Sequence, residues 1–285
     1  MRVLVAGCGW LGQAIAAALR ARGDRVTGVR RDPARAAALS GLGITPLAAD
    51  LSDPEALSRL PDDVEAVVAC QSAGADGPEP YRDAYVRANQ TLLSFARRAP
   101  LRAFVYTGST GVFGQRDGGD VDEGTPPRPR GAAAEVLIEA ERLVLGAAPE
   151  VPARLVRLSG LYGPGRTGLL ERVRTGVLAL GPSDGPWMNF CHRDDAVRAV
   201  LAALDRGRAG AVYHGSDARP ARRREVVEWV AGRLGVRPAR REEGGGADGG
   251  PDRRVLSDRT REELGFDLSY PSFREGFEEL LRGVT

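Results

Sequence analysis

Gly7, Gly9 and Gly12, spaced Gly-x-Gly-x-x-Gly, are the first residues of the chain whose types and spacing can do chemistry. Glycine at the first place permits a tight turn, and at the second it lets backbone approach a pyrophosphate. At the third it lets a helix sit close to a sheet. Trp10 and Leu11 lie between them, where the first turn of a helix offers unpaired N–H groups and a positive dipole end to an anion. The spacing predicts a dinucleotide phosphate site at Gly7, Gly9, Trp10, Leu11 and Gly12.

Val29-Arg30-Arg31-Asp32 stands where such a site chooses its ribose. An NAD site places a carboxylate there to accept from the ribose hydroxyls, whereas a 2′-phosphate wants guanidinium groups. Arg30 and Arg31 predict NADP, with NAD as the alternative, and Asp32 reads as the cap of a helix opened by Pro33. Asp50 and Leu51 are expected on the adenine side. Gln71 and Ser72 follow a central strand, and Thr107 and Ser109 end the next, because open parallel sheets bind ligands outside their strand C-termini. The Ser109 hydroxyl can hydrogen-bond a substrate oxygen. It can equally satisfy loop backbone groups.

The elements that must position these residues alternate strand and helix. Arg2–Ala6 reads as a buried strand, 13–22 as a helix and 24–29 as a second strand. Strands follow at 44–47, 64–70, 103–107 and 153–158, with a long helix over 81–97 that carries Asn89. Further on, 169–175 is helical, Asp194 is expected to cap a helix over 195–204, 212–214 returns to the sheet, and 222–234 is amphipathic, with Trp229 in its core face. The pattern predicts an α/β fold, a Rossmann-type doubly wound parallel sheet. Residues 1–158 form the NAD(P)-binding domain, its sheet completed by parts of 186–215, and 159–285 form a smaller, mostly helical substrate lobe. The Gly-rich stretch 242–252 is expected to be a mobile surface loop.

Composition narrows the function classes. In 285 residues, 42% hydrophobic side chains suffice for a large core, and a net charge of +2 leaves no basic face for nucleic acid. No run approaches the roughly 20 apolar residues of a membrane span, and no leader precedes the first strand, so a soluble, cytoplasmic protein is expected. The three cysteines, Cys8, Cys70 and Cys191, are too scattered for a disulfide framework or a metal site. Every one of the 40 basic side chains is arginine.

The glycine turn, Ser109-Thr110-Gly111-Val112-Phe113-Gly114, Asp122-Glu123-Gly124-Thr125-Pro126 and Leu155-Val156-Arg157-Leu158-Ser159-Gly160-Leu161-Tyr162-Gly163-Pro164-Gly165 occur in an order that resembles the extended short-chain dehydrogenase/reductase superfamily. That group includes nucleotide-sugar epimerases and dehydratases, and the likeness is strongest to its atypical bacterial branch. It continues through Asn189-Phe190-Cys191-His192-Arg193-Asp194-Asp195-Ala196 and Tyr270-Pro271-Ser272-Phe273-Arg274-Glu275-Gly276.

The resemblance implies a Tyr-x-x-x-Lys pair on the helix after the Ser/Thr segment, the tyrosine exchanging a proton with substrate and the lysine lowering its pKa. Those places here are Ala133 and Leu137. Tyr106 is turned away by strand alternation. Tyr162, in the loop that the resemblance places near substrate, and His192, whose titration range suits acid–base work, are the remaining candidates beside Ser109. Arg253 or Arg254 could meet a substrate anion. The expected function is an NADP(H)-linked oxidoreductase on a small carbonyl or sugar-like, even nucleotide-sugar-like, substrate. The alternative is an NADP(H)-binding sensor without catalysis. An epimerase is disfavoured by the missing tyrosine, and pairing of two copies through helices beside the sheet is a further implication.

Overall fold

Seven strands form one parallel sheet: β1 (Arg2–Ala6), β2 (Arg25–Arg30), β3 (Thr45–Ala48), β4 (Ala66–Ala69), β5 (Ala103–Ser109), β6 (Ala153–Leu158) and β7 (Val212–Gly215), in the order β7-β6-β5-β4-β1-β2-β3. The computed structural model describes residues 1–181, 183–240 and 250–282. The strand order reverses between β1 and β4, and it is at such a switch point that open α/β sheets leave a crevice for ligands.

Both faces of the sheet are covered, which is why its central strands read as unbroken apolar runs. Val3 and Val5 face one core with α1 (Trp10–Ala21) and α4 (Arg193–Arg206). Leu4 and Ala6 face the other, with α2 (Ala88–Ala96) and α3 (Ala132–Gly146). Tyr106 belongs to this second core and is fully buried, while Val105 belongs to the first. A third core of Tyr162, Phe190, Val226, Val230, Phe273 and Phe277 joins α5 (Arg223–Leu234) and α6 (Phe273–Arg282). Trp229 packs against it, edge-on to Phe273 at 5.5 Å.

Strand positions match the expected ones to within a residue or two, and the departures have local causes. α1 begins at Trp10 rather than Gln13, so Gly12 already lies inside the helix. The expected helix over 81–97 is three pieces: Pro78–Tyr81, a wide π-turn over Arg82–Arg87, and α2. Asn89 explains the widening, since its Nδ2 donates to the Tyr85 carbonyl at 2.8 Å and so competes for the helical ladder. α4 starts at Arg193, with His192 and not Asp194 as its cap: His192 Nδ1 accepts from the Asp194 N–H at 3.3 Å. Asp32 does cap its helix, accepting from Arg35 N at 2.7 Å.

Short pairings fasten the C-terminal half to the sheet. Gly160–Tyr162 lies parallel to Phe190–His192, Trp187–Met188 antiparallel to Ala221–Arg222, and Arg254–Val255 parallel to Asp120–Val121. Residues 242–249 of the Gly-rich stretch lie outside the described residues. At its end, Asp252 is anchored, accepting from Trp187 N at 2.9 Å and pairing with Arg222 at 2.9 Å. Among the described residues no helix is long and apolar enough to cross a membrane.

Candidate functional site

The glycine turn separates into two kinds of requirement. Gly7 has φ +78°, and a Cβ there would sit 2.3 Å from Gln71 Cα; one at Gly12 would sit 2.6 Å from the Gly7 carbonyl oxygen. Both glycines are therefore demanded by the fold itself. Gly9 is not: a Cβ there would meet nothing nearer than 3.8 Å. Its missing side chain opens space at the N-terminus of α1, where a pyrophosphate would face free N–H groups.

Two cavities meet at this turn and share Gly7, Gly9, Gln71 and Ser72 in their walls. The first, of 280 Å³, runs toward Arg30, Arg31, Asp32, Arg35, Asp50 and Leu51. Arg30 Nη1 donates to the Cys8 carbonyl at 2.9 Å, which holds the guanidinium beside Gly9. Three carboxylates line it and each holds a bond within the protein: Asp32 caps its helix, Asp50 Oδ1 accepts from Ser52 N at 3.0 Å and Ser52 Oγ at 2.7 Å, and Asp83 Oδ1 accepts from Arg87. Gln71 Nε2 donates to Asn89 Oδ1 at 3.3 Å, so the helical asparagine does meet the neighbouring strand end. Gln71 Oε1 is buried and lacks a partner among the described residues. An orphaned amide oxygen at the junction of the cavities fits a ligand that passes between them.

The second cavity, of 510 Å³, is walled by Trp10, Leu11, Thr107, Ser109 and Thr110 together with Tyr81, Tyr85, Leu137, Ser159, Arg166 and Arg253. Trp10 Nε1 donates to the Pro164 carbonyl at 2.8 Å, and Arg166 and Arg193 stand over its ring at 5.4 and 5.6 Å. These contacts tie the loop over 163–166 to the glycine turn. Thr107 Oγ1 donates to the Ala69 carbonyl at 3.3 Å. Ser109 Oγ accepts from Gly111 N at 3.0 Å, leaving its own proton for another acceptor. Arg253 Nη2 donates to the Thr110 carbonyl at 2.8 Å.

Leu137 occupies the cavity wall where the resemblance implies lysine, and Ala133 is exposed on the first turns of α3. Tyr162 and His192 line neither cavity. The Tyr162 ring lies 4.6 Å from Phe277 and 5.2 Å from His192, with its hydroxyl buried and without a partner among the described residues; burial pushes the phenol far above its usual range. His192 is stacked on Tyr270 at 3.8 Å, and burial lowers its pKa. Arg254 pairs with Asp120 at 2.6 Å away from the cavity.

Sequence reasoning passed over Tyr81, Tyr85, Ser159 and Arg166. Ser159 could have been found, because it follows the last residue of β6 and strand C-termini face the crevice. Arg166 follows a glycine-rich loop with no spacing signal. Tyr85 reaches the cavity from the π-turn, which no periodicity announces. Burial pushes the Tyr85 phenol up, opposed first by a hydrogen bond with the Ala73 backbone and then by the Arg166 guanidinium. Among the described residues no cluster of His, Cys, Asp or Glu could hold a metal ion.

Comparison with known proteins agrees with this geometry. The model of the NAD dependent epimerase/dehydratase family matches residues 3–214. The chain is 32% identical to protein YeeZ of Escherichia coli K12 over 95% of its own length and 96% of that protein. It is 31% identical to a 3-diazoavenalumate denitrifying reductase of a Streptomyces species, covering 97% of this chain and 99% of that one. The dTDP-glucose 4,6-dehydratase DesIV of Streptomyces venezuelae, solved with NAD bound, superposes with a TM-score of 0.83 at 23% identity, covering 99% of this chain and 96% of that one.

Proposed function

The chain belongs to the NAD dependent epimerase/dehydratase family, and from that premise we propose that it is an NADP(H)-linked oxidoreductase acting on a small carbonyl or sugar-like substrate. The observation that carries the reading is the continuity of the two cavities through Gly9, whose side-chain space the protein leaves open on the way from the arginine-lined end to the hydroxyl-lined end. When bound, the nicotinamide supplies or accepts a hydride. Gly9 and the start of α1 would hold the pyrophosphate. Arg30, Arg31 and Arg35 would surround a 2′-phosphate, and Asp32 and Asp50 each already spend one carboxylate oxygen on local backbone or hydroxyl donors. Asp50, Leu51, Gln71, Ser72 and Thr107 would flank the rest of the cofactor. Ser109 Oγ would orient the substrate oxygen with the proton that the Gly111 contact leaves free. The name of the Streptomyces relative, a reductase, is consistent with this direction.

Calorimetric titration with NADPH and NADH in parallel tests the reading. Replacing Arg30 and Arg31 together by alanine is expected to weaken NADPH binding at least about tenfold, about 1.4 kcal/mol, with little change for NADH. Equal losses for both cofactors would defeat the 2′-phosphate assignment, and binding of neither by the unaltered chain would defeat the cofactor reading. Leu137 favours a second reading, cofactor binding without turnover, in which the same titration succeeds and no carbonyl is reduced.

A further inference from the structure

Among the described residues three arginines are buried: Arg154, Arg157 and Arg253, which are 5%, 4% and 9% exposed. A guanidinium taken out of water needs an acid or a set of acceptors around it, because an unmatched buried charge is costly. Arg154 has acceptors, the carbonyls of Ala203, Leu204, Pro152 and Arg102 at 2.9, 3.3, 3.0 and 3.5 Å. Arg157 has an acid, Glu141, held by two bonds of 3.0 and 2.9 Å. Arg253 has neither in full. Its Nη2 donates to the Thr110 carbonyl at 2.8 Å, its Nε is without a partner, and no carboxylate pairs with it among the described residues. Burial lowers its pKa with no neighbouring acid to oppose the fall.

Arg253 is also the one of these three that lines a cavity. Its backbone is held on both sides by one side chain: Asn189 Nδ2 donates to the Arg253 carbonyl at 3.0 Å, and Asn189 Oδ1 accepts from Val255 N at 2.7 Å. The guanidinium is thus presented from a fixed support, as a preformed binding site requires. The same wall holds a second guanidinium, Arg166 over the Trp10 ring at 5.4 Å, and no carboxylate, so its field favours an anion. In the reading above, the cofactor phosphates are met by Gly9 and the start of α1 and by Arg30, Arg31 and Arg35. Arg253 stands instead at Thr110, next in the chain to Ser109, whose hydroxyl proton is free for a substrate oxygen.

We propose that Arg253 is the receptor for a carboxylate carried by the substrate, so that the cleft takes a small oxo acid with its carboxylate on Arg253 and its carbonyl oxygen on Ser109. The carbonyl half of this assignment rests on the oxidoreductase reading above. The planar guanidinium fork matches carboxylate and phosphate alike, and space decides between them. A cavity of 510 Å³ is within the range of about 300–1,000 Å³ that takes one drug-sized ligand. Here it must also accept the nicotinamide half of the cofactor, which leaves room for a small acid and not for a nucleotide diphosphate. The rings of Trp10, Tyr81 and Tyr85 in the wall, the last two edge to face at 5.2 Å, suit a flat apolar body between the two polar contacts. The bound carboxylate supplies the acid that Arg253 lacks.

Calorimetric titration of the whole chain with phenylglyoxylate and with phenylglyoxylamide, its uncharged near-isostere, tests the assignment without requiring turnover. In the presence of saturating NADP, the acid is expected to bind at least about tenfold more tightly than the amide. Arg253→Gln should abolish that preference and leave NADPH affinity unaltered, whereas Arg253→Lys, which keeps the charge, should retain part of it. Equal affinities for acid and amide, binding of neither, or an unchanged preference in Arg253→Gln would each overturn the receptor. The comparison of acid with amide on the unaltered chain decides the matter even if the glutamine variant does not fold. UDP serves as the competing anion: if it displaces phenylglyoxylate at a lower concentration than phenylglyoxylate itself needs to bind, the site belongs to a nucleotide diphosphate and the small-acid assignment falls. Repeating the titration on cofactor-free protein separates the two claims. A chain that binds neither NADPH nor NADH yet still prefers acid to amide through Arg253 would defeat the cofactor reading and leave the carboxylate receptor standing.

Discussion

The two ends of the cleft are built by different means. The proposed phosphate end is made from a single strand–turn–helix unit in which Gly7 is required by its φ, and a Cβ on Gly7 or Gly12 would fall 2.3 or 2.6 Å from backbone atoms. The proposed substrate end is assembled from the ends of β4, β5 and β6, from the π-turn and from Arg253, which lies more than a hundred residues beyond β5 and is docked on the Thr110 carbonyl. Local backbone demands can be read in a short stretch of sequence. An assembled wall depends on contacts between residues far apart in the chain, and it can lose its proton-handling side chains while keeping its shape.

The largest effect on this contrast is expected beneath the substrate end. Arg157 on β6 holds Glu141 of α3 through two bonds of 3.0 and 2.9 Å, both side chains being buried, and the pair supports the strand end at Gly108. Burial pushes the Glu141 carboxyl up, against the opposing pull of Arg157. Glu141→Ala would leave a buried guanidinium unpaired, at a cost of about 3–5 kcal/mol. Urea unfolding measures it, and a loss no larger than that of a surface mutation would show that the substrate wall does not depend on this pair.

At the phosphate end, two glycines of one motif should behave in opposite ways. Gly7→Ala forces a left-handed backbone position and a Cβ into Gln71, and is expected to cost more than about 1 kcal/mol of stability. Gly9→Ala meets open space, so its melting temperature should hold while NADPH affinity falls at least about tenfold. If Gly9→Ala binds NADPH normally, the open space is not the pyrophosphate site and the comparison between the two ends loses its basis.

The same contrast explains what the sequence disclosed. The fold was legible because parallel strands covered on both faces leave runs such as Val3-Leu4-Val5-Ala6 and Ala66-Val67-Val68-Ala69, and because Asp32 before Pro33 is a local cap signal. The crevice positions of Gln71, Thr107 and Ser109 followed from the strand-end rule. What escaped was set by tertiary contact: Asn89 widening a helix into the π-turn that presents Tyr85, Asp120–Val121 finding Arg254–Val255, and Tyr162 turning inward. The phenol in the family-like Leu161-Tyr162-Gly163 segment looked chemical because its sequence neighbours are loop-forming. The aromatic residues that claim it come from Phe190 and Phe277.

Tyr162→Phe sharpens that point with a smaller effect. Its hydroxyl is buried beside Gly276 and has no partner among the described residues, so removing it also removes a desolvation cost. Stability is expected to hold or rise by about 1 kcal/mol, with NADPH binding unaltered. A collapse of carbonyl reduction in a variant that is stable and binds cofactor normally would return Tyr162 to the chemistry.

His192 gives the smallest effect and the clearest sign. Its ring caps α4 and is packed between Tyr162 and Tyr270, with Glu279 at 3.7 Å, and burial lowers its pKa despite the nearby Asp194, Asp195 and Glu279 carboxylates. A histidine that is harder to protonate when folded than when unfolded contributes its full share of stability above the unfolded pKa of about 6.5 and loses it as pH falls below that value. His192→Asn keeps an acceptor at the cap while removing the titration. Unfolding at pH 7.5 and pH 5 should therefore show a smaller loss on acidification for the variant than for the unaltered chain. An equal loss in both would mean that the ring is already charged in the folded protein, and would move His192 from the cap of α4 toward a proton-carrying role that the burial of its ring argues against.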